Sequence, residues 1–488
     1  MKQEGKNIFS SRNFKYGTVS VVITITVIVF IILLNAVLTF LFNRYPLSID
    51  LTKNRVFEIS EETEAILASL DRDVVIYVMN TELNFISASP RDYFTQANEV
   101  IKKYAQHSSR VRVEYIDLIR NPDFASRFPG EEIKMNDVIV TSYSRHKVIF
   151  PDALFNIFNS EYGDYVASSR AEQAMTSALV HVTEDKEYFV SVIPGGGIQD
   201  IIPFLELLVL NNYRVLDVNL LTGDILPDTS VLILANPSRD LSLEELRKID
   251  AFLNTDDGKV FFYIASIVQP ALPNLEEFLG EWGIAVEPGM VFEANTGRLI
   301  SPSPYIAVVD YAESEYSKNM LHRNLQPLFA QSRPLKVLYD EFRSRFTTEL
   351  LRFSAASGIR PPDAHSDWTP SPAFITGNVS ALLLTTQSRF NAAGNFARTH
   401  VLVSGSILAL EESTLGNPYL ANSAYFLDVL ANLTGRDDFL FINDKIIGFT
   451  ELNATYSQVI AMIIIFTAVL PLLVLGAGIA VWLKRRHK

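Results

Sequence analysis

Three consecutive glycines, Gly195–Gly197, occupy the position in this sequence best suited to contact a ligand. They lie between the apolar runs Tyr188–Ile193 and Ile201–Asn211, and this pattern predicts a strand, a tight turn and a helix. Backbone N–H groups at such a turn can bind an anion. The turn matches neither G-x-G-x-x-G nor G-x-x-x-x-G-K-[ST], and no Lys, Ser or Thr follows to hold phosphate or magnesium. A structural turn is the simpler interpretation, and a ligand-binding loop is the alternative.

Asn236 directly follows a second predicted strand, Ser230–Ala235. Ligands of open parallel sheets bind outside the carboxyl ends of the strands. By this analogy we predict Gly195, Gly196, Gly197 and Asn236 as ligand-binding residues.

Residues with catalytic potential form no recognisable constellation. The chain has no cysteine, which excludes thiolate nucleophiles, disulfides and Cys-ligated zinc. The seven histidines show neither H-E-x-x-H nor i, i+4 spacing, and His322 is the best single candidate among them. Ser404-Gly405-Ser406 follows a predicted strand but lacks the G-x-S-x-G pattern of a nucleophile elbow. We predict no catalytic residue, no metal site, no cofactor and no enzymatic activity.

The elements around these residues predict an α/β fold with two extracytoplasmic domains. Residues 44–185 combine predicted strands at Val74–Met79 and Val111–Ile116, a hairpin over 137–151 and intervening helices, as in a small thioredoxin-like domain. Residues 186–456 alternate strands and helices, as in a doubly wound domain with a parallel sheet. Segment 296–375 is rich in Pro and Ser and is predicted as a long loop, with its stretch 354–372 mobile.

Two uncharged runs flank these domains, at residues 16–43 and 457–483. Each exceeds the about 20 apolar residues that a membrane-spanning helix needs. Lys and Arg are concentrated in the tails 1–15 and 484–488, so the positive-inside rule predicts cytoplasmic tails and an extracytoplasmic block between the spans. A cleaved signal peptide is the alternative for the first run, although no small-residue cleavage site follows it. The sequence thus predicts a two-pass protein of a bacterial inner or plasma membrane, in contact with membrane lipid.

The charge distribution limits the class of partner. Outside the two predicted tails, 34 basic residues stand against 54 acidic ones. Such a surface repels nucleic acid, which we exclude as a main ligand.

Three stretches resemble the GldG family, the auxiliary components of ABC transporters associated in some bacteria with gliding motility. They are SIDLTKNRVFEIS, VIKKYAQHSSRVRVEYIDLIRNPDFASRF, and LDVNLLTGDILPDTSVLILANPSRDLSLEELRKIDAFLNTDDGKV. The closing stretch HVLVSGSILALEE…NSAYFLDVLANLTG is similar as well. Many relatives carry a Gly-His-Gly-Glu-like turn where this chain has Pro194-Gly-Gly-Gly-Ile-Gln199, which weakens any ligand or catalytic role for the turn. The resemblance implies a separate permease subunit and a cytoplasmic ATPase as partners.

The sequence therefore predicts a non-catalytic auxiliary membrane subunit of an ABC-type transporter. Its external region would bind a partner, a substrate or an envelope component, and its two helices would dock on the permease. No nucleotide-binding motif occurs in the chain itself. A membrane-anchored hydrolase and an envelope sensor or scaffold are the alternatives. The first would need a nucleophile near a histidine, and the second lacks a cytoplasmic output domain in tails of 15 and 5 residues.

Overall fold

The computed structural model describes most of the chain between residues 55 and 436. The described residues are 23–37, 55–158, 165–184, 186–321, 325–365, 367–390, 394–436, 442, 444–447, 467, 471–472, 476, 478 and 482–483. They fall into two compact units, residues 1–58 and residues 59–488.

In the first unit, residues 23–37 form helix α1. Its large apolar side chains are 45–62% exposed on every side of the helix. Within the ranges given above, no helix has both the length and the apolar character needed to cross a membrane. The rest of the predicted span 16–43, and most of the predicted span 457–483, lie outside the described residues.

The second unit begins with short alternating elements. The helices are α2 (Glu61–Ser69), α3 (Glu82–Ile86), α4 (Arg91–His107), α5 (Pro151–Leu154) and α6 (Ala171–Thr183). The strands are β1 (Val74–Val78), β2 (Val111–Tyr115), β3 (Val138–Ser142), β4 (Arg145–Ile149), β5 (Phe155–Phe158) and β6 (Tyr165–Ser169). Ser60 caps α2 by accepting a hydrogen bond from the Thr63 N–H, and three glutamates in the first turn favour the helix dipole.

Strands β1 to β4 form one sheet in the order β2-β1-β3-β4. β1 and β2 are parallel, whereas β3 is antiparallel to both β1 and β4. The predicted hairpin over 137–151 is therefore confirmed as β3–β4. Apolar side chains of α2, α4 and α6 share one core with the sheet, including Leu67, Val74, Ile76, Val100, Ile101, Met175 and Leu179.

The chain continues into a larger set of strands and helices. The strands are β7 (Tyr188–Ile193), β8 (Tyr213–Asp217), β9 (Thr229–Ala235), β10 (Lys259–Ile264), β11 (Ile284–Val286), β12 (Met290–Glu293), β13 (Ile306–Val308), β14 (Asp310–Tyr311), β15 (Leu328–Ala330), β16 (Leu335–Val337), β17 (Glu341–Phe342), β18 (Arg345–Arg352), β19 (Ser357–Arg360), β20 (Ser380–Phe390) and β21 (Phe396–Ser404). The helices are α7 (Ile198–Leu210), α8 (Leu243–Leu253), α9 (Pro273–Glu281), α10 (Lys318–Leu321), α11 (Glu412–Leu415) and α12 (Asn422–Leu433).

Most of these strands belong to one mixed sheet. Its main path runs β11-β16-β20-β21-β10-β9-β7-β8, and β14, β17 and β18 join through β18 pairing with β20. The block β8-β7-β9-β10-β21 is parallel, whereas β20 is antiparallel to β21. The α/β class predicted from the sequence is confirmed.

Helices cover both faces of the parallel block. α7 and α12 pack on one face, where Phe204 and Phe426 lie against Phe262 of β10. α8 and α9 pack on the other face, against Phe261 of the same strand. Because neighbouring strand residues face opposite cores, the central strands are apolar at almost every position.

The prediction of a long loop over 296–375 is wrong, because β13 to β19 lie within this segment. β13 pairs with β15, β19 pairs with β12, and β18 joins the main sheet. Most of these strands have two to four residues, and most pair with strands that are not their neighbours in the sequence. Such short pieces carry no periodicity that a local reading of the sequence could detect.

Candidate functional site

The structure brings the four predicted ligand-binding residues together at the carboxyl ends of two neighbouring strands of the main sheet. Gly195–Gly197 follows β7, and Asn236 follows the neighbouring strand β9. β8 lies on one side of β7 and β9 on the other, so the strand order reverses at this point. Such a reversal is where open α/β sheets form a crevice for ligands.

Close packing, however, explains why glycine stands at position 197 of this turn. A Cβ atom on Gly197 would lie 2.6 Å from Asn236 Cβ and 2.7 Å from Ile407 Cδ1. The same atom on Gly196 would lie 3.2 Å from the Asn236 carbonyl oxygen. Asn236 adopts a positive φ of 38°, and its N–H donates to the Ile264 carbonyl oxygen at 2.9 Å. At position 197 the turn is thus packed closely against Asn236 and Ile407, which gives this glycine a structural role.

The two serines at and just after the end of β21, Ser404 and Ser406, form hydrogen bonds to main-chain carbonyl groups. Ser404 and Ser406 are buried. The Ser404 hydroxyl donates to the Ser406 carbonyl oxygen at 3.0 Å, and the Ser406 hydroxyl donates to the Ala330 carbonyl oxygen at 2.5 Å. His400, on the same strand, bonds through Nδ1 to the Thr386 hydroxyl at 3.0 Å, and burial lowers its pKa to about 4. His322 lies outside the described residues. These contacts give both hydroxyl groups a structural role.

A buried carboxylate that we did not single out from the sequence joins two distant parts of the chain. Glu172, in the first turn of α6, accepts the Ser60 N–H at 2.6 Å and the Thr63 hydroxyl at 2.8 Å through Oε1. Its Oε2 lies 2.7 Å from Lys445 Nζ. Glu172 is buried, with 3% of its side chain exposed, and Lys445 is partly buried, with 14% exposed. Glu172 therefore holds the start of α2 and the segment at 445 in one place.

The same junction continues on the neighbouring residues. Ser169 and Lys445 exchange two main-chain hydrogen bonds of 2.8 and 2.9 Å. Asp444 accepts a hydrogen bond from the Ser168 hydroxyl at 2.6 Å and pairs with Arg170 Nε at 3.2 Å. The returning segment 444–445 is thus added to the edge of β6 and fixed by two ion pairs.

A cleft of about 260 Å³ lies at the opposite end of the parallel block, beside the amino ends of β7 and β8. We call it the basic cleft, because its charged lining comprises Arg145, Lys147, Lys186, Arg214, Arg436, His146 and His181 together with Glu131, Glu184 and Glu187. Two of the glutamates are engaged locally, since Glu187 lies 3.2 Å from Arg214 and Glu131 lies 3.9 Å from His146.

Burial perturbs the pKa values of Lys147 and His181 in the basic cleft. Burial lowers the pKa of Lys147 to about 8, and the nearby Arg436 guanidinium acts in the same direction. Burial also lowers the pKa of His181 to about 4, assisted by the Lys147 ammonium. Both shifts indicate positive potential in partly desolvated surroundings.

Titration of Lys147 should make stability depend on pH. Its folded pKa of about 8 lies below its ordinary value of 10.5, so the unfolded chain binds more protons between these pH values. The free energy of unfolding should therefore rise with pH in this window, by on the order of 1 kcal/mol per pH unit at most. In urea unfolding between pH 7 and 9.5, the free energy of unfolding of the wild type should rise relative to that of Lys147→Met. Lys336→Met, at an exposed lysine of β16, is the control that should follow the wild type. A constant gap between wild type and Lys147→Met would contradict the prediction.

Comparisons with known proteins extend over parts of the chain. Residues 53–156 match a family model described as a domain of unknown function, DUF7088. No match to the chain was found among curated proteins. A solved structure described as the mmIFT52 N-terminal domain is 14% identical, and the alignment covers 52% of this chain and all of that one, with a TM-score of 0.36. The family match is thus confined to the region of β1 to β4.

Proposed function

We propose that this chain is a non-catalytic auxiliary membrane subunit of an ABC-type transporter. In this proposal, residues 16–43 and 457–483 span a bacterial inner or plasma membrane and dock on a separate permease, with an ATPase on the cytoplasmic side. Residues 44–456 lie outside, as a thioredoxin-like domain followed by a doubly wound domain, and bind a partner, a substrate or an envelope component.

The observation that carries the proposal is the junction at Glu172. One carboxylate binds Ser60, 17 residues after the first predicted span, and Lys445, 12 residues before the second. A two-pass protein whose helices cross side by side needs its external region to start and end at the same place. The junction supports this arrangement, because it joins two residues that are separated by 384 residues of chain.

The composition of α1 gives further support. A helix that is apolar on every side is buried in a large core or in a membrane. α1 is apolar on every side, and its side chains are exposed. Lipid and the helices of a permease would cover such a surface.

The proposal is tested by purifying the tagged full chain in a mild detergent and identifying the proteins that accompany it by mass spectrometry. We expect a polytopic permease and a P-loop ATPase in fixed ratio. A matched variant that ends at residue 456 lacks the second span and should lose both proteins. Recovery of the chain alone, or only with copies of itself, would refute the transporter proposal.

The predicted topology can be tested by cysteine labelling, because the chain contains no cysteine. Tyr143→Cys introduces a thiol at a side chain that is 87% exposed, in the region proposed to lie outside. A membrane-impermeant maleimide should label this variant on intact cells, after removal of any outer barrier. Lys488→Cys, in the proposed cytoplasmic tail, should be labelled only after the membrane is permeabilised. Equal labelling of both variants on intact cells would contradict the topology.

The two predicted spans should also be close to each other at their outer ends. We expect a disulfide in the double variant Asn43→Cys/Ser457→Cys when membranes are mildly oxidised, seen as a mobility change in a non-reducing gel. The control variant Asn43→Cys/Trp482→Cys places its thiols at opposite predicted membrane surfaces and should form none within one chain. A disulfide in the control alone would contradict side-by-side helices.

A further inference from the structure

The basic cleft carries a surplus of positive charge, although the chain as a whole is acidic. Five Arg and Lys side chains face three Glu side chains in its lining, which leaves a surplus of two positive charges before the histidines are counted. The whole chain carries a formal net charge of −13. A local surplus of the opposite sign, in a concave and partly desolvated place, concentrates anions from solution.

The hydrogen bonds of Lys147 satisfy its donors without neutralising its charge. The ammonium group donates to the Ser177 hydroxyl at 3.4 Å, to the Leu210 carbonyl oxygen at 3.3 Å and to the Asn212 side-chain oxygen. These three acceptors are uncharged, and Leu210 ends α7, where the helix dipole favours a cation. The position of Lys147 is therefore fixed by groups that do not neutralise its charge.

Arg436 adds a second fixed cation to the same cleft. Its side chain is buried, and its Nη1 donates to the Asn211 carbonyl oxygen at 2.6 Å. The guanidinium lies over the rings of Tyr188 and Tyr213, at 4.9 and 5.0 Å from their centroids. Stacking on aromatic rings holds a guanidinium in one orientation. Two preorganised cations therefore meet at one cleft.

We propose that the basic cleft is a binding site for a small multivalent oxyanion, that is, a solute bearing phosphate or carboxylate groups. Lys147 and Arg436 would supply the fixed charges at its base, and Arg145, Lys186 and Arg214 the further charges around it. The volume of about 260 Å³ is below the about 300–1,000 Å³ of pockets for drug-sized ligands, which favours a compact ligand. The site is independent of docking on a permease, because it rests on the lining of the cleft alone.

Isothermal titration of the purified full chain in mild detergent with pyrophosphate, and separately with citrate, tests the proposal. We expect saturable binding of at least one probe, and the stronger one identifies the favoured group as phosphate or carboxylate. Reversing a charge at the cleft with Arg145→Glu should weaken that binding by about tenfold or more. Lys186→Glu changes an exposed side chain and should act in the same direction, whether or not Arg145→Glu folds.

Arg247→Glu is the matched control, since it makes the same change of net charge at an exposed position of α8. It should bind the probe as the wild type does. Equal weakening by Arg247→Glu and Lys186→Glu would show that only the net charge matters and would overturn the site. Absence of saturable binding of both probes would overturn it as well.

Discussion

Glu172→Ala should destabilise the chain by about 3–5 kcal/mol, the usual cost of removing one partner of a largely buried ion pair. The substitution removes the carboxylate that lies 2.7 Å from the Lys445 ammonium. It also removes the acceptor of the Ser60 N–H and of the Thr63 hydroxyl. Urea unfolding of the purified full chain, followed by circular dichroism, measures the loss.

Two further variants separate charge from hydrogen bonding at this junction. Glu172→Gln keeps an acceptor for Ser60 and should lose less stability than Glu172→Ala. The double variant Glu172→Gln/Lys445→Met removes both charges and should recover part of the loss, because a buried pair replaced as a whole costs little. Glu61→Ala, at an exposed glutamate of α2, should change the free energy of unfolding by less than about 0.5 kcal/mol. A loss below about 1 kcal/mol in Glu172→Ala would mean that the junction does not hold the two segments together.

The central strands could be predicted because burial on both faces makes them apolar at almost every position. The runs in β7, β9 and β10 are visible without any knowledge of their partners. Segment 296–375 could not be predicted in the same way. Its strands depend on partners elsewhere in the chain, as β18 does on β20, and shifts of register interrupt the alternation of β18. Local pattern and distant pairing thus account for the correct and the wrong parts of the fold prediction.

The same distinction between local pattern and distant pairing applies to the candidate sites. Gly195–Gly197 and Asn236 could be predicted to meet, because a rule about strand ends needs only the order of the elements. The Glu172 junction and the basic cleft are formed by residues more than a hundred positions apart, such as Glu172 with Lys445 and Lys147 with Arg436. In the sequence, Glu172 is one acid at the start of a predicted connecting helix, where a favourable helix dipole explains it equally well. Only its burial distinguishes it, and burial is a property of the folded chain.

Gly197→Ala should destabilise the chain by about 1–3 kcal/mol, the usual cost of adding a methyl group to a closely packed site. The added Cβ would lie 2.6 Å from Asn236 Cβ, 2.7 Å from Ile407 Cδ1 and 3.0 Å from the Ala235 carbonyl oxygen. Gly197 has a φ of −101°, which alanine also adopts, so the cost comes from contact and not from backbone strain. The same urea unfolding experiment measures it.

Gly195→Ala is the matched control in the same turn. Its added Cβ would have neighbours no closer than 3.5 Å, which is ordinary van der Waals contact, so its stability should stay close to that of the wild type. A clear difference between the two variants would support the turn as a packing device between β7 and β9. If both substitutions left stability unchanged, the turn would have room to adjust. Close packing would then no longer explain the glycine at position 197. A ligand-binding loop would become the better interpretation of the turn.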